Sequence, residues 1–106
     1  MINNEIMQIR NAIVETIPTE IIYLFGSYAR GTQSENSDYD FYVVIPDGGM
    51  KPLEAIQKAR YSLSKINRST PVDILADCRS RFEERRQFNT LERRVFREGV
   101  VLYEQT

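Results

Sequence analysis

Ile6, Ile9, Ile13 and Ile17 recur every three to four residues with polar positions between them, and Pro18 ends the pattern. That period predicts an amphipathic helix over residues 3–16 with one face turned to a core. The period then shortens. Ile21 to Phe25 is a continuous apolar run of strand length, and Ser37 to Ile45 ends on Phe41, Val43, Val44 and Ile45, a buried strand. Between them, residues 26–36 are rich in Gly, Ser and polar side chains, and the Gly/Pro-rich stretch 46–52 reads as a loop. Leu53, Ile56, Ala59, Leu63 and Ile66 mark a second amphipathic helix, and Pro71 to Leu75 a third strand. Ser80 and Glu83 fit a capping box that opens a third helix. Thr90 caps a last short helix carrying Leu91, Val95 and Phe96; Gly99 ends it and Val100 to Tyr103 closes as a strand. The order α-β-(α)-β-α-β-α-α-β predicts an α/β (α+β) fold, a small β-sheet packed with helices and mixed in direction because its second connection is loop-like.

Length and composition narrow the function. The 106 residues contain no repeat or linker, so a single domain over 1–106 is expected, too small to hold a separate substrate domain. A large acceptor must then be held partly by another chain. At 42% hydrophobic and 27% charged residues the chain is of ordinary globular composition. No apolar run reaches the roughly 20 residues that span a bilayer, and Met1 to Arg10 lacks the basic-then-apolar order of a signal peptide, so no membrane contact and a cytoplasmic location are expected. The lone Cys78 cannot form an internal disulfide. With no histidine, Ser-His-Asp and Cys-His catalysis are excluded and the usual nitrogen ligand of structural zinc is missing. Carboxylates, with or without a hard metal, remain as the reactive groups. Residues 1–57 hold three Lys/Arg against eight Asp/Glu, and residues 58–106 eleven against seven. That asymmetry suits an acidic, metal-collecting site on one side and a basic partner surface on the other.

The chemistry concentrates in Leu24-Phe25-Gly26-Ser27-Tyr28-Ala29-Arg30-Gly31 and in Ser37-Asp38-Tyr39-Asp40. A Gly-Ser pair directly after a strand, with a helix behind it, lets backbone N–H groups and the Ser27 hydroxyl approach a triphosphate. Asp38 and Asp40, two apart on a strand, emerge on one face and present oxygen ligands to Mg²⁺. Asp73, inside the apolar run Pro71-Val72-Asp73-Ile74-Leu75, is expected among buried neighbours, where an unpaired charge calls for a metal or a proton-accepting role.

These residues give the chain a resemblance to the DNA polymerase β-like nucleotidyltransferases, and within them to the minimal nucleotidyltransferases that pair with HEPN-domain proteins. The shared fingerprint is Gly-Ser, Ala-Arg-Gly, a short gap, Ser-Asp-x-Asp and a distant Asp on a later strand, and the resemblance covers Ile21 to Tyr103. It implies a nucleotidyltransferase fold and a two-metal mechanism. Asp38 and Asp40 would hold Mg²⁺ on the triphosphate of ATP, and Asp73 would help bind the second ion and activate the acceptor hydroxyl. Gly26, Ser27 and Arg30 would contact phosphate. It further implies an antitoxin that adds AMP to a tyrosine of a HEPN toxin, in a homo- or hetero-oligomer.

Each piece alone has an ordinary explanation. Gly-Ser turns and strand-start aspartates are common, Arg30 can pair with a surface glutamate, and Tyr28 and Tyr39 can pack on the sheet rather than on a base. Arg79, Arg81, Arg85, Arg86, Arg93, Arg94 and Arg97 alternate with Glu83, Glu84, Glu92 and Glu98, the pattern of a solvated, salt-bridged helix face. Three other functions compete. One is a non-catalytic toxin-binding antitoxin of the same fold, which would not need the aspartates. Another is a small-molecule, aminoglycoside-type nucleotidyltransferase. The third is an RNA-binding module, which a net charge of −1 disfavours.

Overall fold

The computed structural model describes residues 2–106. Helix α1 (Asn4–Thr16) is capped by Asn3, whose Oδ1 accepts the Ile6 amide at 2.8 Å, and it buries Ile6, Ile9 and Ile13. Strand β1 (Ile21–Phe25) leads through a single helical turn, α2 (Ser27–Arg30), into β2 (Tyr39–Ile45). Helix α3 (Pro52–Leu63) carries the chain back to β3 (Val72–Cys78), and α4 (Arg79–Arg85), α5 (Leu91–Glu98) and β4 (Val100–Glu104) follow. The sheet order is β3-β2-β1-β4. β3 is parallel to β2, as its helical crossover permits, while β1 pairs antiparallel with both β2 and β4. The expected mixed sheet packed with helices is observed. No helix among the described residues is long and apolar enough to cross a membrane.

Strand alternation divides the core. Ile22, Leu24, Phe41, Val43, Ile45 and Ile74 pack against α1 and α3. On the opposite face Ile21, Tyr23, Tyr42 and Val44 lie under Phe82 of α4 and Val95 of α5. These two helices are short, and that face continues past them to Phe25, Asp40 and Asp73.

Four expectations change. β2 begins at Tyr39, so Asp38 precedes the strand instead of sharing it with Asp40. β3 pairs only with β2, and as an edge strand it leaves Asp73 exposed rather than buried; only Ile74 is fully covered. The buried stripe of α3 is Ala55, Ala59 and Leu63, because small residues let the helix approach α1 and the sheet; Leu53 is 66% exposed and Ile66 lies beyond the helix. The capping box is absent: β3 runs on to Cys78, which occupies the cap position of α4, and Asp47 Oδ1 accepts the Ser80 amide at 2.9 Å. Glu83 instead accepts from Arg79 and Arg86. At α5 the expected cap holds, with Thr90 Oγ1 accepting the Arg93 amide at 3.2 Å.

The observed face of α3 predicts unequal costs for two leucines. Leu63→Ala should lose about 2–5 kcal/mol of stability through the cavity it leaves. Leu53→Ala should stay within about 0.5 kcal/mol of wild type. Urea unfolding midpoints read both.

Candidate active site

The site is built where β1 ends and β2 and β3 begin, on the open face. Phe25 pairs with Asp40, and Gly26 then turns the chain at φ 75°, a left-handed value that a side chain resists. A Cβ at Gly26 would collide with the Asp40 carboxylate, so only glycine lets backbone and carboxylate meet here. Across the parallel pairing Asp40 stands in register with Asp73. Asp38 adds its charge from just before the strand. Burial first, then Asp73 and Asp38, push the Asp40 carboxyl above the usual carboxylate range, with Arg30 opposing. Among the described residues no cation forms an ion pair with these three; the pairs run elsewhere, chiefly around α4.

The phosphate-facing candidates sit alongside. Ser27 opens α2, and its carbonyl accepts the Thr32 amide at 3.0 Å. The Ala29 and Arg30 amides turn back to the Gly26 carbonyl, both at 3.1 Å, and leave the amides of the first turn pointing outward. Arg30 is exposed, its Nη1 3.9 Å from Glu98 Oε1, the surface pairing that its sequence context allowed. Tyr28 and Tyr39 pack edge to face at 4.6 Å between centroids, and Tyr39 is buried in the core. Packing is therefore their observed role.

A clamp behind the carboxylates was not legible in the sequence. The Tyr39 hydroxyl donates to Glu5 Oε1 at 2.7 Å, and the Ser69 amide donates to Glu5 Oε2 at 2.9 Å. Asn3 Nδ2 donates to the same hydroxyl at 3.2 Å, and the Tyr39 amide donates to the Pro71 carbonyl at 3.0 Å. Glu5 thus ties together the two segments from which Asp38, Asp40 and Asp73 emerge. In sequence it looks like an ordinary acidic residue in a first helical turn. The Ser69 amide, and next the Tyr39 hydroxyl, hold its carboxyl below the usual range.

The donor set suits a hard cation. All the candidate ligands are carboxylate oxygens, which favour Mg²⁺ or Mn²⁺ over softer metals. Among the described residues no three acidic or cysteine side chains stand together as a group that could hold a metal ion, so Asp38, Asp40 and Asp73 do not form a three-carboxylate metal site. The site is an open shelf. The larger hollows of the surface lie instead against α1 and α3.

Known proteins point the same way. The family model for polymerase beta, nucleotidyltransferase, matches residues 7–106. Protein adenylyltransferase MntA of Shewanella oneidensis is 43% identical over 63 residues, 58% of this chain and 41% of that protein. The match therefore spans less than half of the relative's length. A crystallised toxin–antitoxin with AMP-PNP shares the fold at TM-score 0.61 and 28% identity, covering 98% of this chain and 76% of that one. A variant of the MntA-HpeT toxin–antitoxin gives TM-score 0.60 and 27% identity, over 100% of this chain and 76% of that one.

The clamp predicts a pH signature. A carboxyl whose folded pKa is lowered adds stability above its unfolded pKa of about 4.3, and that stability is lost as pH falls through the folded value. Glu5→Gln should therefore cost about 1 kcal/mol at neutral pH, allowing for its solvent exposure. The gap to wild type should shrink when urea midpoints are compared well below that pKa.

Proposed function

The chain belongs to the polymerase beta nucleotidyltransferase family, and from that premise we propose that it is a Mg²⁺-dependent enzyme moving AMP from ATP to an acceptor hydroxyl. The acceptor in this reading is a tyrosine of a partner HEPN-domain toxin, which makes the protein an antitoxin acting in the cytoplasm, with residues 1–106 as its one catalytic domain. The observation that carries the proposal is Asp40 standing in register with Asp73 across β2 and β3, with Asp38 alongside and, among the described residues, no cation in an ion pair with any of the three. The resemblance to protein adenylyltransferase MntA and to a toxin–antitoxin solved with AMP-PNP supports the choice of nucleotide and acceptor class.

The roles follow from position. Asp38 and Asp40 would hold Mg²⁺ brought in with the triphosphate. Asp73, exposed at the sheet edge, would help hold a second ion and would take the proton of the incoming hydroxyl. When bound, the two ions neutralise charge at the attacking and departing oxygens of an in-line displacement. A bond forms from the acceptor oxygen to the α-phosphorus, the bond from that phosphorus to the bridging oxygen breaks, and pyrophosphate leaves. Gly26 brings the backbone close, Ser27 and the outward amides of α2 bind phosphate, and Arg30 adds a contact from the rim.

Calorimetric titration of ATP, with and without Mg²⁺, tests this reading. Wild type should bind only with the metal, and the Asp38→Asn, Asp40→Asn double variant should lose at least about tenfold in affinity, or about 1.4 kcal/mol. Metal-independent binding, or an unchanged double variant, would remove Asp38 and Asp40 from the mechanism.

A further inference from the structure

The arginines of the C-terminal half separate into two populations. Those of α4 are satisfied: Arg79 Nε lies 2.6 Å from Glu20, Arg81 Nε 3.0 Å from Asp77, Arg85 Nε 3.0 Å from Glu92, and Arg86 Nη2 2.7 Å from Glu83. The salt-bridged reading of the arginine run holds there. It fails on α5, where Arg93, Arg94 and Arg97 form no ion pair among the described residues. Val95 and Glu92 point inward, so the three arginines share the outer side and line a hollow of about 180 Å³ with Asn89, Thr90 and Glu98.

Two features of the fold work against this arrangement, although Arg97, in the last turn, suits the helix dipole. Arg93 and Arg97 are like charges four residues apart, and Arg93 lies in the first helical turn, where the helix dipole disfavours a cation. Glu98, at the end of the stripe, links it to the side of the candidate active site that carries Arg30. Glu98 meets Arg30 at 3.9 Å, and Arg30 acts on the charge of Asp40. Exposed aromatic surface adjoins it: Phe88 is 62% and Phe96 47% exposed, with the Arg86 guanidinium 4.0 Å over the Phe96 ring. Arginine beside exposed aromatics is the composition of a protein interface.

We propose that the outer side of α5, through Arg93, Arg94 and Arg97, docks an acidic segment of the protein acceptor beside the carboxylate site. The proposal rests on the AMP-transfer reading for its acceptor. The occupant is fixed by charge: three unpaired cations call for carboxylates. A net charge of −1 and the exposed aromatic surface beside the stripe favour a protein segment over a nucleic-acid backbone. α5 is about 12 Å long, a distance that about four extended residues cover, so a tyrosine next to a short acidic stretch would reach the site.

The test uses a fluorescent Glu/Asp-rich peptide containing one tyrosine, a matched Lys-rich peptide and a short single-stranded RNA, with binding read by anisotropy at low salt. Wild type should bind the acidic peptide in preference to the other two. Arg93→Glu with Arg97→Glu should weaken it at least about tenfold, while Lys58→Glu with Arg81→Glu, the same charge change elsewhere, should not. Mg-ATP binding by calorimetry should be unchanged in both variants, which also checks that they fold. Equal peptide affinity in wild type and the α5 variant would overturn the proposal, as would equal weakening by the control. RNA bound more tightly than peptide and lost with the α5 arginines would replace it with a nucleic-acid surface. Because binding is read without turnover, failure of the docking surface is distinct from failure of AMP transfer.

Discussion

Two carboxylates set side by side by parallel strand pairing are the constraint around which this protein is arranged. Asp40 and Asp73 occupy matching positions on β2 and β3, Asp38 adds a third charge, and among the described residues no cation forms an ion pair with them, Arg30 acting on Asp40 only from a distance. The surroundings hold the charges together despite their repulsion. The α3 crossover brings β3 parallel to β2, Glu5 fastens the starts of both segments through Tyr39 and Ser69, and Gly26 leaves the room that the Asp40 carboxylate fills. In the proposed function, a divalent cation arriving with a triphosphate would relieve this repulsion.

The two sides of the sheet divide the work. One buries an unbroken apolar layer under α1 and α3, which supplies most of the core. The other is roofed only in part, and the boundary of its roof is polar. The Tyr42 hydroxyl donates to Glu92 Oε2 at 2.9 Å and Arg85 Nε donates to Oε1 at 3.0 Å. Burial, reinforced by Glu92, raises the Tyr42 hydroxyl far above its ordinary value. Burial also works to raise the Glu92 carboxyl, but the bonds from Tyr42 and Arg85 outweigh it and the carboxyl stays below its ordinary range. This network fixes the roof two residues along β2 from Asp40, leaving the carboxylates open to large acceptors.

What was legible in the sequence follows from the range of the forces involved. The helical period of Ile6, Ile9 and Ile13, the apolar run of β1, the Gly-Ser turn and the Thr90 cap are local patterns, and all are present in the structure. The three aspartates could be picked out because motif spacing survives in a linear string. The exposure of Asp73 could not, because an edge strand carries the same apolar letters as a central one until its neighbours are known. Glu5 was invisible for the same reason, its partners being 34 and 64 positions away. The division of the arginines was likewise hidden, since Arg79 finds Glu20 across 59 positions while Arg93, Arg94 and Arg97 find no carboxylate partner among the described residues.

The cost of holding Asp40 charged, from burial first and then from Asp73 and Asp38, is tested most directly by the stability of Asp40→Asn in the absence of divalent metal. A carboxyl whose folded pKa is raised adds stability only at low pH and costs stability once ionised, so removing its charge should help the metal-free fold at neutral pH. The account predicts a variant more stable than wild type by a few tenths to about 1 kcal/mol in urea unfolding, with the gain vanishing when Mg²⁺ and ATP are added. A metal-free variant less stable than wild type would contradict it, because Asp40 would then be a satisfied structural carboxylate rather than one held ready for a cation.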